Sequence, residues 1–260
     1  MRQQTNPVRY VAVGDSFTEG VGGALVGEQV RGWADLVADG LALHHGHIEY
    51  ANLAIRGRLL APIATEQVDA ALALDPLPTL MTFNGGGNDM LRRGIDPDGL
   101  IELTRIAVRR CVEAGIDVLL LAGADPSGGL PFGDTIRARG ETLTIATAAL
   151  AEEMGVRFVD LFHDAELRRP GYWSDDRLHL NPVGHQRVAA QLLAALGVHT
   201  VPIPDPPLAA AGRGRAVEDL RFVRTHLTPW VIRRLRGRSS GDDRTAKHPT
   251  WVTVDTTSVG

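Results

Sequence analysis

Two hydrophobic rhythms alternate along the first 200 residues. Short, mostly apolar stretches with no polar face occur at 8–13, 48–53, 79–83, 116–121 and 156–161. They are rich in Val, Ile, Leu and Tyr and too short to be helices, so they predict strands buried on both sides. Between them, apolar residues recur every three or four positions. Trp33, Leu36, Val37 and Leu41 mark a helix over 31–43, and an Ala/Leu-rich stretch predicts a second over 58–74. Asp96 followed by Pro97 reads as a cap with a first-turn proline opening a helix to 114. A long helix over 135–154 closes at Gly155, and Asn181-Pro182 opens a last one to 196. Strictly alternating strands and helices predict an α/β fold, a three-layer α/β/α sandwich around a five-stranded parallel sheet. Right-handed crossovers suit the flavodoxin-like order 2-1-3-4-5, which makes the first and third strands neighbours.

The first strand stops at Gly14-Asp15-Ser16, which delivers a hydroxyl at the carboxyl end of the sheet, where open α/β sheets bind ligands. A serine capping a helix would have the same look. Five residues separate Gly14 from Gly20 and Val21 follows, which excludes a P-loop, and Ser16 stands where a dinucleotide fingerprint needs glycine. Thr18 removes the last glycine of an α/β-hydrolase elbow. A serine nucleophile needs a base, and Asp176-Arg177-Leu178-His179 can fold a carboxylate onto an imidazole from within one loop. Read alone, that spacing also describes a local surface pair, and Asp175 is a second candidate carboxylate. Acyl transfer also needs oxyanion donors. Asn88, in the glycine-rich loop 84–89, offers a side-chain amide. Gly57, just after the second strand, and Ser16 itself offer backbone N–H groups. Singly, Asn88 and Gly57 read equally as turn residues.

Taken together, Gly14-Asp15-Ser16, Asn52-Leu53-Ala54-Ile55-Arg56-Gly57, Gly86-Gly87-Asn88-Asp89 and Asp176-Arg177-Leu178-His179 stand in the order of four known motifs. Over residues 8–197 the chain resembles the SGNH/GDSL hydrolase family, with Phe17 where leucine is usual. The resemblance implies Ser16 as nucleophile, His179 as base, Asp176 as its orienting partner, and Ser16, Gly57 and Asn88 as oxyanion hole. It implies a serine esterase acting on acyl or acetyl groups of small molecules, sugars or lipids, with no metal or organic cofactor. An acyltransferase using the same acyl-enzyme, and a non-catalytic ligand-binding module on this fold, are the alternatives. Asp15 and Asp89 are expected to brace loops, and Phe132 and Trp173 to line a pocket or pack.

His44, His45 and His47 lie together but lack a further ligand from another element, so no metal is expected. Cys111 is the one cysteine, which excludes an internal disulfide. It falls in a helical pattern as a core thiol. Residues 1–7 are polar without an apolar signal core, and no run of about 18 apolar residues occurs, so a cytoplasmic location is expected. Charge is uneven. Ten Lys/Arg against four Asp/Glu between Arg213 and Lys247 give +6, so the remainder of a chain of net −4 carries −10. Residues 1–200 therefore read as the hydrolase domain, 201–212 as a proline-rich linker and 213–260 as a basic helical extension. Its polar end, 239–260, is expected to be unstructured apart from a contact at Trp251. Helical spacing within 213–237 gives an apolar stripe that fits docking on the acidic body or on a second copy, contact with an anionic membrane surface, or a solvated segment; no nucleic acid is expected.

Overall fold

The computed structural model describes residues 7–92, 94–198, 205–206, 241 and 244–257. The helical stripe expected within 213–237, and with it the membrane or subunit contacts considered above, lies outside the described residues.

In chain order the elements are β1 (Arg9–Val13), α1 (Ser16–Glu19), β2 (Ala24–Val26), β3 (Gln29–Arg31), α2 (Trp33–His45), β4 (His47–Asn52) and α3 (Leu60–Pro62). A π-turn (Ile63–Gln67) runs into α4 (Val68–Leu72). Then follow β5 (Leu80–Phe83), α5 (Gly87–Met90), α6 (Pro97–Glu113), β6 (Asp117–Ala122), α7 (Gly133–Met154), β7 (Arg157–Asp160), α8 (Pro182–Ala195) and β8 (His248–Asp255). The expected helix starts are built as capped turns: Asp96 accepts from Gly99 N–H at 3.1 Å and Asn181 from Gly184 N–H at 3.0 Å. Gly155 ends α7 in the left-handed conformation, at φ 63°.

The main sheet runs β7-β6-β5-β1-β4-β8. Its first five members are parallel and take the expected order. Val11 of β1 pairs with Ala51 on one side and Met81 on the other. Both faces of β1 are buried, which explains its unbroken apolar run. Tyr10 and Ala12 pack with α2 and α8, while Val11 and Val13 pack with α6 and the stretch from α3 to α4. The predicted thiol Cys111 lies fully inside the second cluster, 3.6 Å from Met81 Sδ, and burial pushes its pKa up to about 11.

Two features correct the sequence reading. The sheet has six strands rather than five, because β8 from the segment expected to be unstructured pairs antiparallel with β4, Tyr50 opposite Val252. Val252 and Val254 face one core cluster and Trp251 the other, where its Nε1 also donates to Pro76 O at 3.0 Å. The strand stays half-buried to exposed, and its pairing along β4 adds to these contacts in a segment that polar neighbours disguise. Lys247, just before it, carries a side chain only 7% exposed that donates to Asp35 Oδ2 at 2.6 Å and Val30 O at 2.8 Å. The second feature is the hairpin of β2 and β3, which the sequence reading does not anticipate. Among the described residues, no helix is long and apolar enough to cross a membrane.

Candidate active site

The carboxyl ends of β1, β4 and β5 are neighbours, and the loops leaving them converge. Ser16 opens α1, and Asp15 caps that helix by accepting from Phe17 N–H at 3.0 Å. Gly14 has no room for a side chain: an added Cβ would sit 2.8 Å from Thr18 Cβ and 3.0 Å from Asn84 O. The 174–180 loop folds across from the far side of the sheet and is closed by a bridge between Trp173 and Leu180. From it, His179 Nε2 reaches Ser16 Oγ at 3.0 Å, while its Nδ1 lies 2.6 Å from Asp176 Oδ2.

Asp176 is itself fixed. Its Oδ1 accepts the backbone N–H groups of Leu178 and His179, each at 3.0 Å. Burial alone would raise its pKa, but the hydrogen bond to His179, the charge of that ring and the two backbone donors outweigh burial and hold the carboxyl at about 2. Asp175, the other candidate, is exposed. Asp15 behaves in the opposite way. Burial, reinforced by the charge of Asp89, pushes its carboxyl up to about 6 against the pull of Phe17 N–H, His179 and Asn88.

Asn88 Nδ2 donates to Asp15 Oδ2 and to Arg58 O, both at 3.0 Å, and Asp89 Oδ2 accepts Leu60 N–H at 2.9 Å at the start of α3. Gly57 sits in a tight turn at φ 76° beside Arg56. Arg56 is pinned to α1 by Glu19, which accepts its N–H at 2.7 Å and its guanidinium at 2.5 and 2.9 Å.

A pocket of about 110 Å³ opens beside Ser16, Asn88 and His179. Ile136, Gly140 and Leu143 of α7, with Phe162 and Trp173, form much of its apolar wall. Trp173 thus lines the pocket as considered, and Gly57 is not part of the wall. Phe132 is corrected: it is 85% exposed and stands outside the lining. Its backbone adopts the left-handed conformation at φ 59° as the first turn of α7 forms, which turns the ring to solvent.

The structure therefore joins Ser16, His179 and Asn88 around one cavity, with Asp176 behind His179. Several partners were not singled out from the sequence. Arg56 lies inside the second motif and Glu19 three residues past the first, where an acid and a loop arginine can be paired. Gln67 is a polar residue at helical spacing from Ile63 and Ala64 on an apolar stripe, and that misfit is its signal. His185, fully buried in α8, accepts from Trp33 N–H at Nδ1 and donates from Nε2 to Val21 O, each at 3.1 Å. Burial lowers its pKa to about 4, so it serves as a neutral brace. His44 and His45 stack edge to face at the end of α2, and among the described residues no group of three His, Cys, Asp or Glu is placed to hold a metal.

A family model for the GDSL-like lipase/acylhydrolase family matches residues 12–187. Comparison with curated proteins gave no match. Among solved structures, the fold is similar to that of an acetylxylan esterase, Axe2, from Geobacillus stearothermophilus. A catalytic mutant of it shares 19% identity at a TM-score of 0.63, covering 76% of this chain and 97% of that one. It is also similar to the psychrotrophic esterase EstA from Pseudoalteromonas sp., at 18% identity and TM-score 0.58 over 73% of this chain and 96% of that one. LAE5, an alpha/beta hydrolase enzyme from the metagenome of Lake Arreo, Spain, shares 22% identity at TM-score 0.61, covering 73% and 95%.

Proposed function

The chain belongs to the GDSL-like lipase/acylhydrolase family and is a carboxylic ester hydrolase, and from that premise we propose that Ser16 is its nucleophile, His179 its general base and Asp176 the carboxylate that orients and stabilises the base. The observation that carries the reading is the continuous relay at the pocket mouth, 2.6 Å from Asp176 to His179 and 3.0 Å from His179 to Ser16. Ser16 Oγ attacks the ester carbonyl while His179 Nε2 takes its proton. The imidazolium then protonates the leaving alcohol, and the acyl group stays on Ser16. Water, deprotonated by the same Nε2, releases the acid and regenerates the serine. Asp176, held at about 2, stays ionised throughout and favours the imidazolium.

The developing oxyanion would be met by the N–H groups of Ser16 and Gly57 and by the Asn88 amide. Since Asn88 Nδ2 already donates to Asp15 and Arg58 O, substrate must share one of those N–H bonds. Such sharing on substrate arrival is ordinary, since catalytic hydrogen bonds tighten only in the complex. A cavity of about 110 Å³ is smaller than the roughly 150 Å³ space that admits a benzene ring, so the reading extends to short acyl groups such as acetyl.

The test is hydrolysis of p-nitrophenyl esters from acetate to palmitate, with Ser16→Ala alongside. Turnover on acetate to butyrate, falling off steeply towards palmitate and absent in the variant, is the expected outcome. Undiminished turnover by Ser16→Ala would overturn the mechanism. Adding primary alcohols and assaying for transesterified product separates hydrolysis from acyl transfer, for which the same groups would serve.

A further inference from the structure

One side chain grips the backbone on the amino side of Ser16. Gln67 Oε1 accepts the N–H of Gly14 at 2.8 Å, and Gln67 Nε2 donates to the C=O of Gly14 at 2.9 Å. The two residues are 53 positions apart, and Gln67 is 6% exposed. It is the last residue of the π-turn between α3 and α4, the kind of local widening that recurs at functional sites. Its neighbours on that face, Ile63, Ala64, Val68 and Ala71, are all buried and apolar. If the position served packing alone, a leucine would fill it without the cost of burying an amide.

The amide instead does what a strand neighbour does. A primary amide presents the same donor and acceptor as a peptide group, so Gln67 continues the sheet's hydrogen bonding one residue past the end of β1. The Gly14 carbonyl also accepts from Ile55 N–H at 3.2 Å, and the Gly14 Cα is packed against Thr18 and Asn84 O. Gly14 is thereby held from several sides, and Ser16 follows two residues later with Asp15 already committed to capping α1.

We propose that Gln67 is a positioning residue for the nucleophile: by clamping both polar groups of Gly14 it fixes the aim of Ser16 Oγ at His179 and of the Ser16 N–H at the oxyanion, without touching substrate. This rests on Ser16 being the nucleophile. A displacement of about 1 Å in such a group costs on the order of 10²-fold in rate.

The experiment uses the full chain, p-nitrophenyl acetate, and a p-nitrophenyl phosphonate that counts reactive serines by the nitrophenol released. Gln67→Leu removes the clamp. Per titrated site its kcat is expected to fall on the order of 10²-fold with KM nearly unchanged, and phosphonylation to slow in step. Gln67→Glu is the second variant. Protonated, the introduced carboxyl keeps one donor and one acceptor and can still grip Gly14. Ionised, it loses the donor and repels the Gly14 carbonyl. The ratio of its kcat to that of wild type should therefore fall as pH rises, whereas the ratio for Gln67→Leu should stay flat. A role in stability alone predicts fewer titratable sites with wild-type kcat at each, and that result would overturn the proposal. So would a pH-independent ratio for Gln67→Glu, which decides the matter if Gln67→Leu does not fold. Ser16→Ala run in parallel loses all turnover if the nucleophile is correct, so failure of that assignment is seen separately from failure of the clamp.

Discussion

Asp176 shows how much of the site one carboxylate sets. One oxygen meets His179 Nδ1 and the other takes two backbone N–H groups, so neither can turn away. In the proposed mechanism, Asp176→Asn would place an amide where only an acceptor serves, disturbing the tautomer that leaves Nε2 free to take the proton from Ser16. Loss of kcat on the order of 10⁴-fold is expected, with KM little changed, measured on p-nitrophenyl acetate. The same residue makes a prediction about acid stability. Its folded pKa, about 2, lies below the ordinary 3.8. Its contribution is therefore complete above pH 4 and lost as pH falls towards 2. Urea melts should find Asp176→Asn less stable than wild type by on the order of 2 kcal/mol at pH 6, with the gap closing near pH 2. At this scale, residues with unusual chemistry at unusual places were legible. Ser16 after a strand and Asp176 three positions before His179 stand out without a structure. Gln67 did not, because an amide on an apolar stripe marks a misfit without naming the partner 53 positions away that explains it.

Among elements, those with a buried face were the readable ones. α2, α6, α7 and α8 all lie close to their predicted bounds, because each shows an apolar stripe and an end signal. The predicted helix 58–74 is α3, the π-turn and α4 in one run, 60–72, and nothing in periodicity distinguishes a π-turn from its flanks. The β2–β3 hairpin was missed for a different reason: Leu25 and Val26 are 72% and 59% exposed, so no buried face marks the strands. α7 yields a prediction as the pocket wall. Gly140 faces the buried ring of Phe162, and a Cβ there would lie 2.8 Å from Phe162 Cζ. Gly140→Ala gains about 1 kcal/mol in helix propensity, but overpacking that forces the Phe162 ring to shift costs about 1–3 kcal/mol. The expected result is a lower Tm together with a higher acetate-to-butyrate ratio of kcat/KM, as the ring is pushed into the cavity. An unchanged ratio would mean that the acyl group lies elsewhere.

At the scale of the whole molecule, the chain returns to finish its own sheet. Without β8, β4 would be an open edge with unpaired backbone groups, a template for association. Val252 and Val254 flank Thr253 within a segment read as polar and unstructured apart from Trp251, and it is the free edge of β4 that gives the strand its partner. The return is also wired into the site. Lys247 pairs with Asp35, which accepts from Tyr50 Oη at 3.1 Å; Tyr50 Oη accepts from Asn52 Nδ2 at 3.0 Å, and Asn52 Nδ2 donates on to Thr18 O at 3.2 Å in α1. Lys247→Met keeps the aliphatic stem and β8 but leaves the Asp35 carboxylate, its side chain 13% exposed, without its cation. Breaking a buried pair this way costs about 3–5 kcal/mol, which for a chain of this size lowers Tm by roughly 10 °C. Removing residues 244–257 takes away the strand as well, so it should lower Tm further and, unlike Lys247→Met, raise light scattering with protein concentration. Equal Tm values for the two variants would mean that the ion pair supplies all the stabilisation and the strand none. A truncated chain as stable as wild type would mean that β4 needs no cover, against both its register with β8 and the burial of Lys247.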